Sequence, residues 1–161
     1  MLNQFQKNII KAIFIISLVA LITAYFVEYI LGYQPCNLCL MERIPYAAAL
    51  LIILISYKFK NLEKQFTLLL IIIFFASSIL SLYHLGIEQG FIEESLVCDL
   101  QKSLKILSKE EILQQLQVKK VNCKDVTFKI FGLSLTTFNI IISILLTTIL
   151  TTIYLNYEKN K

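Results

Sequence analysis

The sequence predicts an all-α integral membrane protein, a four-helix bundle with a long outer loop between the third and fourth helices. Three observations carry that expectation. Of 161 residues, 57% are hydrophobic and 16% charged, and the mean hydropathy is +0.72; a soluble domain of this size has too little polar surface in such a composition to cover its core. Four stretches lack Lys, Arg, Asp and Glu altogether: Ala12 to Val27, Ile44 to Tyr57, Gln65 to Ile87 and Ile130 to Tyr157. The lysines fall on alternate sides of those stretches. One membrane domain, residues 1–161, is the organisation expected, with spans at about 9–31, 36–57, 65–87 and 131–156 and outer loops at about 32–35 and 88–130.

A span needs about 20 apolar residues to cross roughly 30 Å of hydrocarbon. The first run reaches that length from Ile9 to Leu31, with Lys11 and Glu28 snorkelling at its ends. A cleavable signal peptide is the competing interpretation. The apolar run is longer than a signal core, and no small-residue cleavage site follows it. The second run is short, about 21 Å from Ile44 to Tyr57. Extended back to Cys36 it reaches about 33 Å, so a helix is expected to begin near Pro35, a residue suited to a first turn. Pro45 then lies inside the helix and should kink it. A start at Pro45 instead leaves the cysteines in a loop just above the helix, and the sequence leaves both open. The third and fourth runs are long enough as they stand.

Lys7, Lys11, Lys58, Lys60, Lys64, Lys159 and Lys161 share one side of a four-span chain, whereas residues 88–129 carry seven lysines balanced by seven acids. Short basic segments mark the cytoplasmic side. Both termini are therefore expected inside, and Cys36, Cys39, Cys98 and Cys123 outside, where disulfides persist. Within the outer segment, Ser108 and Glu111 read as a capping box opening a short helix whose Ile112, Leu113 and Leu116 form one apolar stripe. That helix lies either on the membrane surface or against the rest of the loop. No repeat, low-complexity tract, phosphate-binding glycine loop or nucleic-acid patch is present, and the net charge of +4 follows from topology.

The chemistry is in "GYQPCNLCLMERIP", residues 32–45. Cys36 and Cys39 at i, i+3 on a helical turn face the same way, within disulfide reach. A helix N-terminus stabilises a thiolate, and Arg43 adds a full charge one turn on. Three readings compete. One is a structural staple. Another is an all-thiolate zinc site of Cys36, Cys39, Cys98 and Cys123, with His84 as a further ligand, although the second pair lacks the close spacing usual for zinc. The third is a redox couple. A c-type haem is excluded, because Leu40 stands where His would follow the CxxC. A disulfide between Cys98 and Cys123 would close the outer loop, and two disulfides at one membrane face invite exchange between them. His84 near the outer end of the third span is an intramembrane ionisable group and so a functional candidate; with Arg43 it could hydrogen-bond the carbonyls of a lipid-soluble quinone. The Ser and Thr residues of the fourth span are expected to bond back to their own helix or to neighbours.

The strings "PCNLCLMER", "YHLGIE" and "GLSLTTFN" resemble the disulfide bond formation protein B (DsbB) family over nearly the whole chain. The resemblance implies a bacterial inner-membrane enzyme with both termini cytoplasmic and the cysteines periplasmic. Such an enzyme re-oxidises a periplasmic DsbA-like thioredoxin-fold oxidase and passes electrons to ubiquinone or menaquinone. It implies catalytic roles for Cys98, Cys123, Cys36 and Cys39, and quinone-site roles for Arg43 and His84. The rivals are a membrane metal-binding or sensor protein built on the same thiols, and an inert disulfide-stapled bundle. Pro45 is not part of the family pattern, and the lysine-rich outer loop suits a docking surface of its own.

Overall fold

The structure, a computed structural model, describes residues 4–59, 62–93, 98, 123–124, 128–130 and 132–159. The expected amphipathic helix "EEILQQLQV", residues 110–118, lies outside them. Its elements are α1 (Gln4–Tyr29), α2 (Asn37–Met41), α3 (Ile44–Lys58), α4 (Glu63–Glu88), a two-stranded hairpin of β1 (Lys129–Ile130) and β2 (Leu133–Ser134), and α5 (Leu135–Lys159). Four segments are long and apolar enough to cross a membrane: Gln6–Tyr29, Asn37–Lys58, Glu63–Glu88 and Leu135–Asn156. The chain is thus a multi-pass membrane protein. Its helix boundaries lie within a few residues of those expected, which fits the fraying of helix ends.

The second span is where sequence and structure part. It is two pieces, a five-residue α2 and a fifteen-residue α3, joined through Glu42 and Arg43. Pro45 sits in the first turn of α3, where its missing N–H removes no hydrogen bond. Pro35 stands before the cap, and Cys36 itself is the N-cap, its Sγ accepting from the Cys39 N–H at 3.2 Å. The chain thus satisfies both expectations in part. The cysteines are on a helical turn, but that turn is separate from the long helix.

The other ends follow ordinary capping chemistry. Glu63 lies in the first turn of α4 and Lys58 in the last turn of α3, each at the helix end whose partial charge it complements. Helix α4 stops at Gly90, whose φ of +78° is open to glycine at little cost. There the Phe91 N–H bonds to the Gly86 carbonyl at 2.9 Å and the Gly90 N–H to that of Ile87 at 3.0 Å, the two bonds of a Schellman close. The hairpin pairs Lys129 with Ser134 and Ile130 with Leu133, and Ser134 then caps α5 by accepting from the Thr137 N–H at 3.3 Å.

Most side chains of the spans face outward. Large apolar residues such as Ile15, Ile22, Leu51, Ile72, Phe75 and Leu145 are exposed, as lipid contact requires. The inner seam joins all four spans: Ile13 of α1, Tyr46, Ala49 and Ile53 of α3, Leu70 and Phe74 of α4, and Leu146 and Leu150 of α5. The Tyr46 ring meets Phe74 edge-on, with centroids 5.8 Å apart. Small residues let the helices approach closely. Ala49 is fully buried, and Ser77 of α4 and Ser143 of α5 hydrogen-bond across the seam at 3.2 Å. In α5, Thr147 and Thr151 donate to the carbonyls four residues back at 2.7 and 2.8 Å, so the polar residues of this span divide between the two expected uses.

Replacing Ala49 with Leu should overpack this seam and lower stability by about 1–3 kcal/mol. Unfolding in mixed micelles, followed by loss of helicity, checks this; an unchanged midpoint would mean the seam is looser than described.

Candidate functional site

All four cysteines meet at one end of the bundle. Cys36 and Leu38 of the α2 turn, Ile87 of α4, and Cys98 and Cys123 form one buried cluster, with Cys39, Leu80 and Tyr83 packed against it. The topology explains the meeting: α2 opens the second span and Ile87 closes the third, so both lie at the same face. Cys98 and Cys123 are joined in a disulfide with a Cα–Cα distance of 5.8 Å. Cys36 and Cys39 are free thiols, the first buried and the second partly exposed. Their sulfurs are 2.6 Å apart, closer than any non-bonded packing and one small movement from the bond of about 2.05 Å.

That spacing bears on zinc. Cys36, Cys39 and His84 offer three ligand atoms within 4.8 Å of one another. Two thiolates at 2.3 Å from tetrahedral zinc stand roughly 3.8 Å apart, well beyond the 2.6 Å here. The disulfide, moreover, occupies the two sulfurs that an all-thiolate site would require. The geometry is that of a dithiol about to close.

The thiolate support expected from a long helix is smaller in this arrangement. Helix α2 has five residues, too few for an appreciable macrodipole, since that field is the sum over aligned peptides. What remains is local: the Cys39 N–H on Cys36 Sγ, and His84, whose Nε2 lies 3.5 Å from the same sulfur. His84 lies near the Glu88 end of α4. It is 1% exposed and turned into the bundle, with Nδ1 at 2.9 Å from Glu42 Oε1 and 3.2 Å from Thr136 Oγ1.

Arg43 points elsewhere. Its guanidinium donates to Glu28 of α1 and lies over the Tyr25 ring, 5.0 Å from the centroid. The cation expected beside the cysteines is therefore held on the α1 side of the turn, partly exposed, with the exposed apolar residues Leu40, Met41 and Ile44 next to it in the chain. Cys36, Cys39 and His84 form one group, and Arg43 with Glu28 and Tyr25 forms another across α2.

Sequence reasoning overlooked a third set, which is buried behind His84. Both Glu42 oxygens accept hydrogen bonds, Oε1 toward His84 and Oε2 from Asn139 Nδ2 at 3.0 Å. Asn139 Nδ2 also donates to Ser81 Oγ at 2.7 Å, while its Oδ1 accepts from the Tyr46 hydroxyl and from Ser143 Oγ at 3.4 Å. Thr136 donates to Glu88 Oε1 at 2.6 Å. Glu42 was visible in the string "CLMER", and Thr136 and Asn139 in "GLSLTTFN". The missing signal was which face of α5 meets α4, which only packing supplies.

Comparison with known proteins places these observations. The family model described as disulfide bond formation protein DsbB matches residues 6–153. The chain is 35% identical over 150 residues to an uncharacterized protein of Rickettsia prowazekii (strain Madrid E), a match covering 91% of this chain and 86% of that one. No solved structure matches.

Mild oxidation should close Cys36 to Cys39 with little rearrangement, leaving none of the four sulfurs open to a maleimide. Peptide mapping of that form is expected to return the pairs 36–39 and 98–123; crossed pairs as the main products would contradict the geometry.

Proposed function

The chain belongs to the DsbB family of disulfide-forming membrane oxidoreductases, and from that premise we propose that it re-oxidises a DsbA-like thioredoxin-fold oxidase and delivers the electrons to a membrane quinone. The observation that carries this reading is the packing of two cysteine pairs, one disulfide-bonded and one open, in a single cluster at the membrane-boundary end of the second span. An inert staple has no need of a second pair beside it, and exchange between pairs requires sulfurs that can reach each other.

In this relay a thiolate of the partner attacks Cys98 and the Cys98–Cys123 bond breaks, which frees Cys123. With Cys36–Cys39 closed beforehand, Cys123 attacks Cys36 and that bond breaks to leave Cys39 as a thiolate. The partner's second thiolate then releases Cys98 as the partner's own disulfide forms, and Cys98 attacks Cys123, which restores Cys98–Cys123 and frees Cys36. Two electrons and two protons leave the partner's dithiol in each cycle. A bound quinone would supply a sink for both within the lipid phase. The residues that follow Cys39 suit such a molecule: Leu40, Met41 and Ile44 are exposed apolar side chains, and Arg43 offers a cationic donor held in place by Glu28 and Tyr25. His84 serves the same site from within the bundle, through Cys36. Ubiquinone and menaquinone both fit this description.

The positive-inside distribution of the short basic segments supports a bacterial inner-membrane setting with both termini cytoplasmic. The cysteine end then faces the periplasm, where the partner works. Labelling of Cys36 and Cys39 by an impermeant thiol reagent tests the orientation; labelling from the cytosolic side alone would remove the basis of the relay.

Membranes containing the protein should reduce quinone when given a reduced DsbA-like donor. Cys39→Ser should abolish that reduction while still trapping the donor on Cys98, and Cys98→Ser should fail to accept electrons at all. Quinone reduction at the normal rate by Cys39→Ser would overturn the order of steps. Arg43→Gln should raise the KM for quinone about tenfold, as loss of a charged hydrogen bond worth roughly 1.5–3 kcal/mol allows, with trapping on Cys98 unaffected; an unchanged KM would take Arg43 out of the quinone site.

A further inference from the structure

The relay uses four sulfurs and Arg43, with His84 reaching the site through Cys36. It leaves unexplained why two carboxylates and an imidazole are buried together behind Cys36, at a depth where ionisable groups are expensive to keep. Glu42 and His84 are buried, and the Glu88 side chain is 6% exposed. Glu88 Oε2 is buried with no hydrogen-bond partner among the described residues.

The hydrogen bonds fix where the protons sit. Glu42 accepts at both oxygens, and Asn139 can only donate to it through Nδ2. Thr136 has one hydroxyl proton, and Glu88 Oε1 receives it at 2.6 Å, so Thr136 Oγ1 faces His84 Nδ1 as an acceptor. Two acceptors on Nδ1 require a proton there. Nε2 is then the free lone pair of the neutral ring, and it faces Cys36 Sγ at 3.5 Å. A carboxylate that sets the tautomer of an imidazole from behind is a general device for presenting a base to a nucleophile.

We propose that Glu42 is a positioning residue: it holds His84 with Nδ1 protonated, so that Nε2 takes the proton of the Cys36 thiol inside the bundle. In that step the S–H bond breaks and an N–H bond forms, and no electrons move. The positive charge on the ring is matched by Glu42. Glu88 Oε1 lies 3.7 Å from Nε2, so the same carboxyl, with its free second oxygen, receives the proton when Cys36 re-enters a disulfide. It then leaves with the second thiol proton to the two-electron acceptor, which balances the cycle. The other groups facing the imidazole are accounted for: Cys36 and Cys39 from the α2 turn, Tyr46 of α3 through Asn139, and the uncharged Thr136 and Asn139 of α5. Arg43 is engaged by Glu28 on the far side of the turn.

The purpose of this device rests on the relay, since only a cycling Cys36 has a proton to lose, but its test does not. The full-length protein in nanodiscs without quinone, carrying Cys39→Ser and treated with reductant, is alkylated with iodoacetamide across pH, and modification at Cys36 is read by mass spectrometry. The midpoint is expected below the value of about 8.5 of an ordinary thiol. Glu42→Gln should slow alkylation about tenfold near neutral pH and move the midpoint up, as loss of a charge within hydrogen-bond range does. His84→Asn should do the same, and Glu42→Asp should restore most of the shift. Profiles of Glu42→Gln and His84→Asn that overlay the parent would overturn the proposal. So would a change of rate with no shift of midpoint, which looser packing alone produces. Where Glu42→Gln does not accumulate, Glu42→Asp and His84→Asn decide on the same criteria. Should the relay itself be wrong, the parent protein fails to reduce quinone while the alkylation shift persists.

Discussion

A carboxylate in hydrocarbon must be answered, and the answer Glu42 finds organises this end of the molecule. Its two oxygens draw His84 from α4 and Asn139 from α5 onto the α2–α3 junction. Those bonds align the third and fourth spans with the second, in a medium where helices gain nothing from the hydrophobic effect between them and rely on packing and polar contacts. Asn139 extends the set to Ser81 and Tyr46, and Ser143 to Ser77. A buried polar group without a partner costs far more than a paired one gains. The chain therefore has few ways to place these helices, and the one it takes brings His84 against Cys36.

Two sides of the CxxC turn thus differ. Inward, Cys36 meets imidazole and carboxylates sealed from lipid. Outward, Cys39 is partly open, with Arg43 beyond it on the face that lipid wets. In the relay proposed above, proton transfer and electron transfer would use separate faces of a single turn of helix. The Cys98–Cys123 bond lies in the same buried cluster as Cys36, Leu38 and Ile87.

The sequence made the spans legible because charge-free runs about 20 residues long have few other uses. Pro45 marked the second span for a kink or a later start, and the sequence left both open; the structure ends α2 at Met41 and begins α3 afresh at Ile44. The sequence did not reveal which way the charged pair Glu42–Arg43 would turn. Adjacent residues on a helix point about 100° apart; here one went into the bundle and the other to α1. His84 could be marked as important from its position, yet its partners could not be named, because hydroxyls in α5 can equally bond back to their own helix, as Thr147 and Thr151 do. The hairpin before α5, with two residues in each strand, carries too little pattern for any reading. The family resemblance covered the roles that spacing alone left open among staple, zinc site and redox couple.

The division of the second span has a mechanical meaning. Because α2 is a five-residue unit and α3 a rod with its own start at Pro45, bond changes at Cys36 and Cys39 in the proposed relay would act on a short turn anchored by Glu42 rather than on the whole second span.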